Sequence, residues 1–484
     1  MPPEMLLLLG APLAGGALLA FVGHRRRAAE LNIAFSVLTF AGAAALVTRV
    51  IGEGPVSALQ EQLFVDSLNV FLVALTAFVA MTTSIFSRPY MRIERDHGRV
   101  SDAGMRLFHA MYQLFGFTML LVLTTNNLGV MWVAMEAATL TTVLLVALYR
   151  THAALEAAWK YFILCGVGIA QALFGTILVY FAAERILGAG VGALLWTHLD
   201  AVKGELEPAV VSIAFVFLLV GYGTKVGLVP LHAWLPDAHA EGPTPISAVL
   251  SGLLLNVALF AVLRFKSIMS SNPAALAPGP LMVTLGLASV VFAAFMLYRR
   301  QDIKRLFAYS SIEHMGIITF AFGMGGTLAN FAGLLHMALH SLTKSAIFFC
   351  VGHVAQVKGT QRMADIRGLT VSHPILGWSL GLGVVAIAGL PPMGLFMTEF
   401  LIITSTFARA PLLAIILGLA LLVGLGALLL RLNGLAFGDP DGRSDPDKAS
   451  FLPIGLHLAI VLAAGIWLPP SLVAWFQYVA SLLN

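Results

Sequence analysis

Apolar runs of about twenty residues, separated by short clusters of Arg, Lys, Asp, Gly and Pro, fill the chain from end to end. A helix rises about 1.5 Å per residue and a bilayer core is about 30 Å thick, so roughly 20 apolar residues make one crossing. On that rule the pattern predicts fourteen spans: 5–23, 31–50, 63–87, 107–125, 127–149, 159–187, 209–240, 245–266, 278–298, 303–324, 329–357, 374–408, 411–435 and 452–480. Two are interrupted, span 7 at Val229-Pro230 and span 12 at Gly389-Leu390-Pro391-Pro392. Proline has no N–H to give, so such a break persists in a bilayer only where protein or a water-filled cavity covers it.

The broken spans are five crossings apart, and so are Glu136 in span 5 and Glu313 in span 10. Spans 4–8 and 9–13 therefore read as two copies of one five-helix unit. Five is odd, so the second copy is inverted, as in many transporters. The fold class predicted is an all-α polytopic membrane protein in four parts. An N-terminal three-helix segment and loop (1–106) precedes the first repeat (107–266), the second repeat (278–435), and a loop with the last helix (436–484).

Composition agrees. The 484 residues are 59% hydrophobic and 11% charged, with mean hydropathy +0.91, where a soluble protein carries about 25% charged residues. Lys and Arg are distributed by loop parity. Loops after odd-numbered spans hold nineteen and the opposite loops six, Lys304 and Arg443 counted in the first set and Arg264 and Lys266 in the second. The excess marks the cytoplasmic side, so both termini are expected to face outward. The net charge of +4 is topological and calls for no nucleic acid. The first run is followed by His24-Arg25-Arg26-Arg27 rather than preceded by basic residues, the reverse of a signal peptide. Cys165 and Cys350 are isolated in apolar runs, and no Gly-rich phosphate loop follows a strand pattern. No cofactor is expected on this chain.

Three basic residues fit neither side of the parity count: Lys225, Lys344 and Arg431. Arg431 lies near a span's end, where its head can snorkel to the interface. Lys225 lies within span 7, four residues before the break, and Glu136 in the middle of span 5 is its natural counter-charge. An uncompensated charge there costs about 2.5–3.5 kcal/mol on insertion scales. The alternative for Glu136 is a protonated group held for packing. Span 11 carries His336, His340 and Lys344 at i, i+4, i+8, which puts all three on one helix face about 6 Å apart. A lone membrane histidine is commonly a helix–helix hydrogen bond, but three titratable groups in line point to a proton or water-coupled path. The histidine pair resembles a metal pair, yet no third ligand follows at metal spacing and a lysine stands one turn on, so no metal is expected. Glu313 and His314 in span 10 and Glu399 in span 12 add groups at similar depth, and His232 and His239 flank the span 7 break, placed to connect Lys225 to one side.

Four stretches carry a resemblance: GTKVGLVPLHAWLPDAHAEGPTPISAVLSG, DIKRLFAYSSIEHMGII, HMALHSLTKSAIFF and GLPPMGLFMTEFLI. In this order they resemble the antiporter-like membrane subunits of respiratory complex I, a family that includes Mrp-type cation/proton antiporter subunits and the membrane arms of energy-converting hydrogenases. The resemblance implies a gating pair in Glu136 and Lys225, a central lysine in Lys344 with His336 and His340 as water-chain neighbours, and a terminal residue in Glu399. Where many complex I members have a histidine near Ser251 and a serine in place of Glu313, this chain departs, and it is similar instead to the F-type branch of the hydrogenase-4 membrane proteins.

What the resemblance implies is a proton-translocating, non-catalytic subunit of a redox-driven complex in a bacterial or archaeal cytoplasmic membrane. The first repeat takes protons up and the second releases them. Its expected partners are related antiporter-like subunits, a peripheral redox module on the cytoplasmic side, and the bilayer. The rivals are a gradient-driven antiporter or inorganic-substrate uptake subunit using the same residues, and an assembly scaffold whose charges only hold spans together.

Overall fold

The computed structural model describes residues 1–440, 445 and 448–483. Arg443 and most of the acidic tract 438–447, expected as a solvated turn, lie outside the described residues. The chain is helical almost throughout: α1 (Pro3–Val22), α2 (Ala28–Glu53), a small hairpin β1 (Val56–Ala58) and β2 (Leu63–Val65), α3 (Asn69–Asp96), α4 (Asp102–Thr124), α5 (Leu128–Val146), α6 (His152–Leu187), α7 (Trp196–Ala201), α8 (Pro208–Val226), α9 (Leu235–Glu241) and α10 (Thr244–Val249). It continues with α11 (Leu255–Met269), α12 (Pro278–Arg299), α13 (Ile303–Met324), α14 (Thr327–Lys358), α15 (Leu369–Ser372), α16 (Pro374–Ile387), α17 (Gly394–Phe407), α18 (Pro411–Ala436), α19 (Phe451–Ile466) and α20 (Pro470–Leu482).

Among the described residues eleven helices are long and apolar enough to cross a bilayer alone, or twelve if α19 and α20 count as one bent span. The other two of the fourteen predicted stretches are α13, as long but carrying Glu313 and His314, and the short pair α16 and α17. The last predicted span is not straight: α19 and α20 meet at 82°, because Pro469 and Pro470 end one helix and start the next. Span 8 also departs from a plain helix, with a π turn at Leu250–Leu254 joining α10 to α11.

Helix starts follow from local chemistry. Asn127 accepts from the N–H groups of Gly129 and Val130 and so caps α5, and Asp302 accepts from Arg305 and caps α13. Close packing rests on small residues where apolar matter surrounds both helices. A Cβ on Gly221 of α8 would lie 2.6 Å from the Gly168 carbonyl of α6, and one on Gly286 of α12 would lie 2.7 Å from that of Gly316 of α13.

The helix at the centre is α14, 32 residues long with 94% of its apolar window buried inside the protein. It is walled by α13, α16, α17, α19, α10 and α20. Loop contacts respect the parity of the spans. Those after α2, α4 and α6 meet at one end, where Leu63 bridges Thr125 and Asn127 bridges Leu195. Those after α12 and α14 meet at the other, where Asp302 bridges Arg362.

Several of the charges counted by loop side are buried. Lys304 is 1% exposed and donates to the carbonyls of Ala240 and Gly242. Lys266 donates to the Leu483 carbonyl, and Arg264 pairs with Asp66 at 2.7 Å. Helix ends leave carbonyls without intrahelical partners, and Lys304 and Lys266 satisfy such groups across the structure, which a count along the sequence has no means of registering.

Candidate functional site

The break in span 7 positions the first half of the site. α8 ends on Gly227, left-handed at φ +82°, whose N–H returns to Gly223 and Thr224. Neighbours satisfy the groups freed beyond it. Trp234 Nε1 donates to the Thr224 carbonyl at 2.8 Å, and the Val229 N–H donates to Ser289 Oγ of α12 at 2.9 Å. The peptide bond before Pro230 is cis. Lys225 lies in the last turn of α8, fully buried, and its ammonium donates to Tyr161 Oη of α6 at 3.2 Å. Tyr161 stacks on Trp234 with ring centres 4.6 Å apart and pairs with Thr142 Oγ1 of α5 at 2.7 Å.

Glu136 is half-buried on α5 and accepts from Thr139 Oγ1 at 3.3 Å. It makes no contact ion pair with Lys225 among the described residues. The expected pair is instead spaced by hydroxyls, Thr139 beside the carboxylate and Thr142 with Tyr161 beside the ammonium. Tyr161 and Thr142 were not singled out from the sequence, because Tyr161 is 64 residues from Lys225 and an aromatic in an apolar run looks like packing.

The second half gathers on α14. His336, His340 and Lys344 are all fully buried. The Lys344 ammonium donates to the backbone carbonyl of Phe307 at 2.9 Å and has no carboxylate in contact. His314 of α13 packs against the histidine pair, its ring centre 5.2 Å from His336 and 5.6 Å from His340. His314 Nδ1 is 3.0 Å from His336 Nε2, and His336 Nδ1 is 2.9 Å from Thr398 Oγ1 of α17. Among the described residues neither nitrogen of His340 has a protein partner, nor do the hydroxyls of Ser310, Thr343 and Ser345. The Glu313 carboxylate is buried against Gly424 of α18. Glu399, half-buried on α17, rests its carboxylate on Gly389 at the span 12 break, where Pro391-Pro392 is the second cis bond.

His239 and His232 part company. His239, on α9 beyond the break, stacks on Phe348 of α14 at 5.1 Å, and among the described residues neither of its nitrogens has a protein partner, so it faces the second half. His232 packs against Phe292 and Tyr309, on the α12 and α13 side. Ser251, at the position where a histidine is absent, pairs with Ser311 at 2.6 Å inside the π turn's contact with α13. Gathering these, the structure brings His314, His336, His340, Lys344, Glu313 and Glu399 together from three helices, holds Glu136 and Lys225 in a separate cluster, and leaves His232 apart. The breaks at Pro230 and at Pro391-Pro392 border the two clusters.

Comparison with known proteins places the arrangement. Residues 125–424 match the family described as NADH:quinone oxidoreductase/Mrp antiporter, TM. The chain is 56% identical over 473 residues to the hydrogenase-4 component F homolog of Methylacidiphilum infernorum, covering 98% of each. It is 29% identical over 352 residues to NADH-quinone oxidoreductase subunit N of Desulforudis audaxviator, covering 71% of this chain and 66% of that one. Two solved structures share the fold: a chain of the archaeal membrane-bound sulfane sulfur reductase, with TM-score 0.88 and 22% identity over 99% of this chain and 97% of that one, and a chain of respiratory complex I from Thermus thermophilus, with TM-score 0.82 and 22% identity over 99% and 100%. With the motifs, the fold and the buried charges on one line of argument, this chain belongs to the NADH:quinone oxidoreductase/Mrp antiporter family of membrane subunits.

Proposed function

We propose that this chain is a proton-translocating, non-catalytic subunit in the membrane arm of a hydrogenase- or quinone-linked redox complex. The observation that carries the reading is Lys344, fully buried and donating to the Phe307 carbonyl with no acidic contact, one helical turn from His340, which among the described residues has no protein partner at either nitrogen. Buried polar groups are satisfied almost without exception, by protein or by ordered water, and a buried imidazole without a protein partner beside a lysine suits water. Packing alone would select hydrophobic side chains here, so the scaffold reading leaves the cluster without a cause.

In the proposed cycle Lys225 holds a proton while Glu136 is close enough to support its charge. Loss of that support, by movement of Glu136 or of Tyr161, releases the proton toward His239 and Lys344, and the histidines with Glu313 and Glu399 carry it out. Moving one charge against 100 mV costs about 2.3 kcal/mol, so a partner must supply the energy. The named relative from Methylacidiphilum, a hydrogenase-4 component F homolog, supports a redox-driven assembly. Glu136 and Glu399 are each half-buried in the isolated chain, on different halves of the molecule. Carboxylates so placed suit contact with neighbouring antiporter-like subunits. A peripheral redox module is placed on the side carrying Arg25 to Arg27 and Arg88 to Arg106, with both termini outward in a cytoplasmic membrane.

The test is proton uptake by membrane vesicles carrying the assembled complex, with electron transfer measured alongside. Lys344→Met is expected to abolish the pH gradient while the complex still assembles. A gradient of wild-type size in that variant would overturn the reading, and a gradient that requires sodium would favour the antiporter alternative.

A further inference from the structure

Along α14 alone no third ligand follows His336 and His340 at metal spacing. In three dimensions His314 of α13, His336 of α14 and Glu399 of α17 each offer a donor atom, and all three donors lie within 4.8 Å of one another. A tetrahedral ion with bonds of about 2.0–2.1 Å sets its ligands roughly 3.3 Å apart, and His314 Nδ1 and His336 Nε2 are 3.0 Å apart. Small rotations of the two rings and of a carboxylate therefore suffice.

Outer contacts set which nitrogens carry lone pairs. The Thr398 hydroxyl donates its proton to the Leu395 carbonyl at 2.7 Å, so at His336 Nδ1 it acts as the acceptor. His336 is thereby held with its proton on Nδ1 and its lone pair on Nε2, facing His314. In the hydrogen bond between the rings His314 Nδ1 is then the donor, its proton held against the His336 lone pair across 3.0 Å. A metal ion would take the place of that proton, and His336 is already fixed from behind by a hydroxyl, as the outer shell of a ligand histidine requires.

Lys344 does not prevent this. It is eight residues beyond His336, about 12 Å along the helix, and its ammonium is engaged with the Phe307 carbonyl. Glu399 brings the negative charge, its carboxylate resting beside the span 12 break.

We propose that His314, His336 and Glu399 form a site for a divalent transition ion of the zinc class, with two imidazoles and one carboxylate as ligands and room for water as the fourth. Binding stands on the geometry alone. Its consequence, that the ion replaces the transferable proton between the two histidines and stops conduction, rests on the proton path proposed above.

The experiment uses the assembled complex, purified on a tag without histidine and stripped with chelator, then titrated with Co²⁺ and back-titrated with Zn²⁺. Micromolar binding is expected, with the intense visible bands of a four-coordinate cobalt site that Zn²⁺ displaces. His314→Gln and His336→Gln should each abolish the bands, Glu399→Gln should weaken binding at least tenfold, and His198→Gln, on α7 with its ring paired to Glu61, should change nothing. Bands that survive all three ligand substitutions, or binding only at millimolar concentration, would overturn the site. If a histidine variant fails to assemble, Glu399→Gln, at a half-buried position, decides alone. Proton uptake is read separately: Zn²⁺ that binds by displacing cobalt but leaves uptake unchanged would overturn the path reading and leave the site standing.

Discussion

The two halves of the molecule treat the same problem, a lysine in the membrane beside a broken helix, in opposite ways. Around Lys225 the surroundings are closed: a side-chain hydroxyl accepts from the ammonium, an aromatic stacks beside it, and Trp234 and Ser289 satisfy the groups freed at the break. Around Lys344 they are open. Among the described residues only a backbone carbonyl accepts from it, and the histidine next in line has no protein partner at either nitrogen. The prolines at the two breaks do not differ in this way, since Pro230 is exposed in the isolated chain as Pro391 and Pro392 are; the contrast lies in the side chains around each lysine. A closed polar group is held by the fold and an open one is held by whatever else enters. The first half is therefore built to keep a charge in place, and the second to pass it on.

The comparison can be broken most severely at Lys344. Lys344→Met should reduce proton uptake by about a hundredfold, about 2.7 kcal/mol at tenfold per 1.36 kcal/mol, measured as fluorescent-dye quenching in vesicles. A fold-holding charge gives the contrasting result. Arg264 and Asp66 form a pair with side chains 6% and 15% exposed, so Arg264→Leu leaves a buried carboxylate unpaired and should cost about 3–5 kcal/mol. It should appear as a lower unfolding temperature of the purified protein, with uptake per assembled complex unchanged.

Tyr161→Phe removes the hydroxyl that accepts from Lys225, a loss of about 1.5–3 kcal/mol for a hydrogen bond to a charged group. It should slow uptake roughly tenfold or more, and because no cavity is made, assembly should be normal on native gels. If Tyr161→Phe pumps like the wild type, the closed character of the first half has no functional meaning. The smallest effect is the sharpest. A Cβ at Gly424 would meet the Glu313 carboxylate, whereas one at Gly418, on the same helix, meets nothing within 4 Å. Gly424→Ala should displace the carboxylate and slow uptake about two- to threefold, under 1 kcal/mol. Gly418→Ala should leave uptake unchanged and add helix propensity worth up to about 1 kcal/mol in thermal unfolding.

The all-helical class, the broken spans and the intramembrane charges were legible in the sequence because each has a one-dimensional signature: run length, proline position, a charge inside an apolar run. Partnerships were not. Tyr161 holds Lys225 across 64 residues, and His314 meets His336 across 22. No periodicity connects residues on different helices, so the gathering of His314, His336 and Glu399 was invisible to a reading that follows one helix face. The partners of Lys304 were out of reach for the same reason, since the carbonyls of Ala240 and Gly242 lie 64 and 62 residues away in the chain. The 82° bend between α19 and α20 could have been read from Pro469-Pro470, but the run on either side was apolar enough to pass as one span.

Helix α14 is about 48 Å long by its residue count, well beyond a hydrocarbon layer of about 30 Å. A helix of that length facing lipid would have to tilt or deform the bilayer to fit. Because α14 is sheathed by other helices, lipid thickness acts on α1, α2, α6 and α18, whose apolar windows are less than half buried. The arrangement is that of a conductor inside insulation. A cell that remodels its lipids with temperature changes the load on the sheath, while the spacing of His336, His340 and Lys344, fixed by one helix that does not meet those lipids, stays the same.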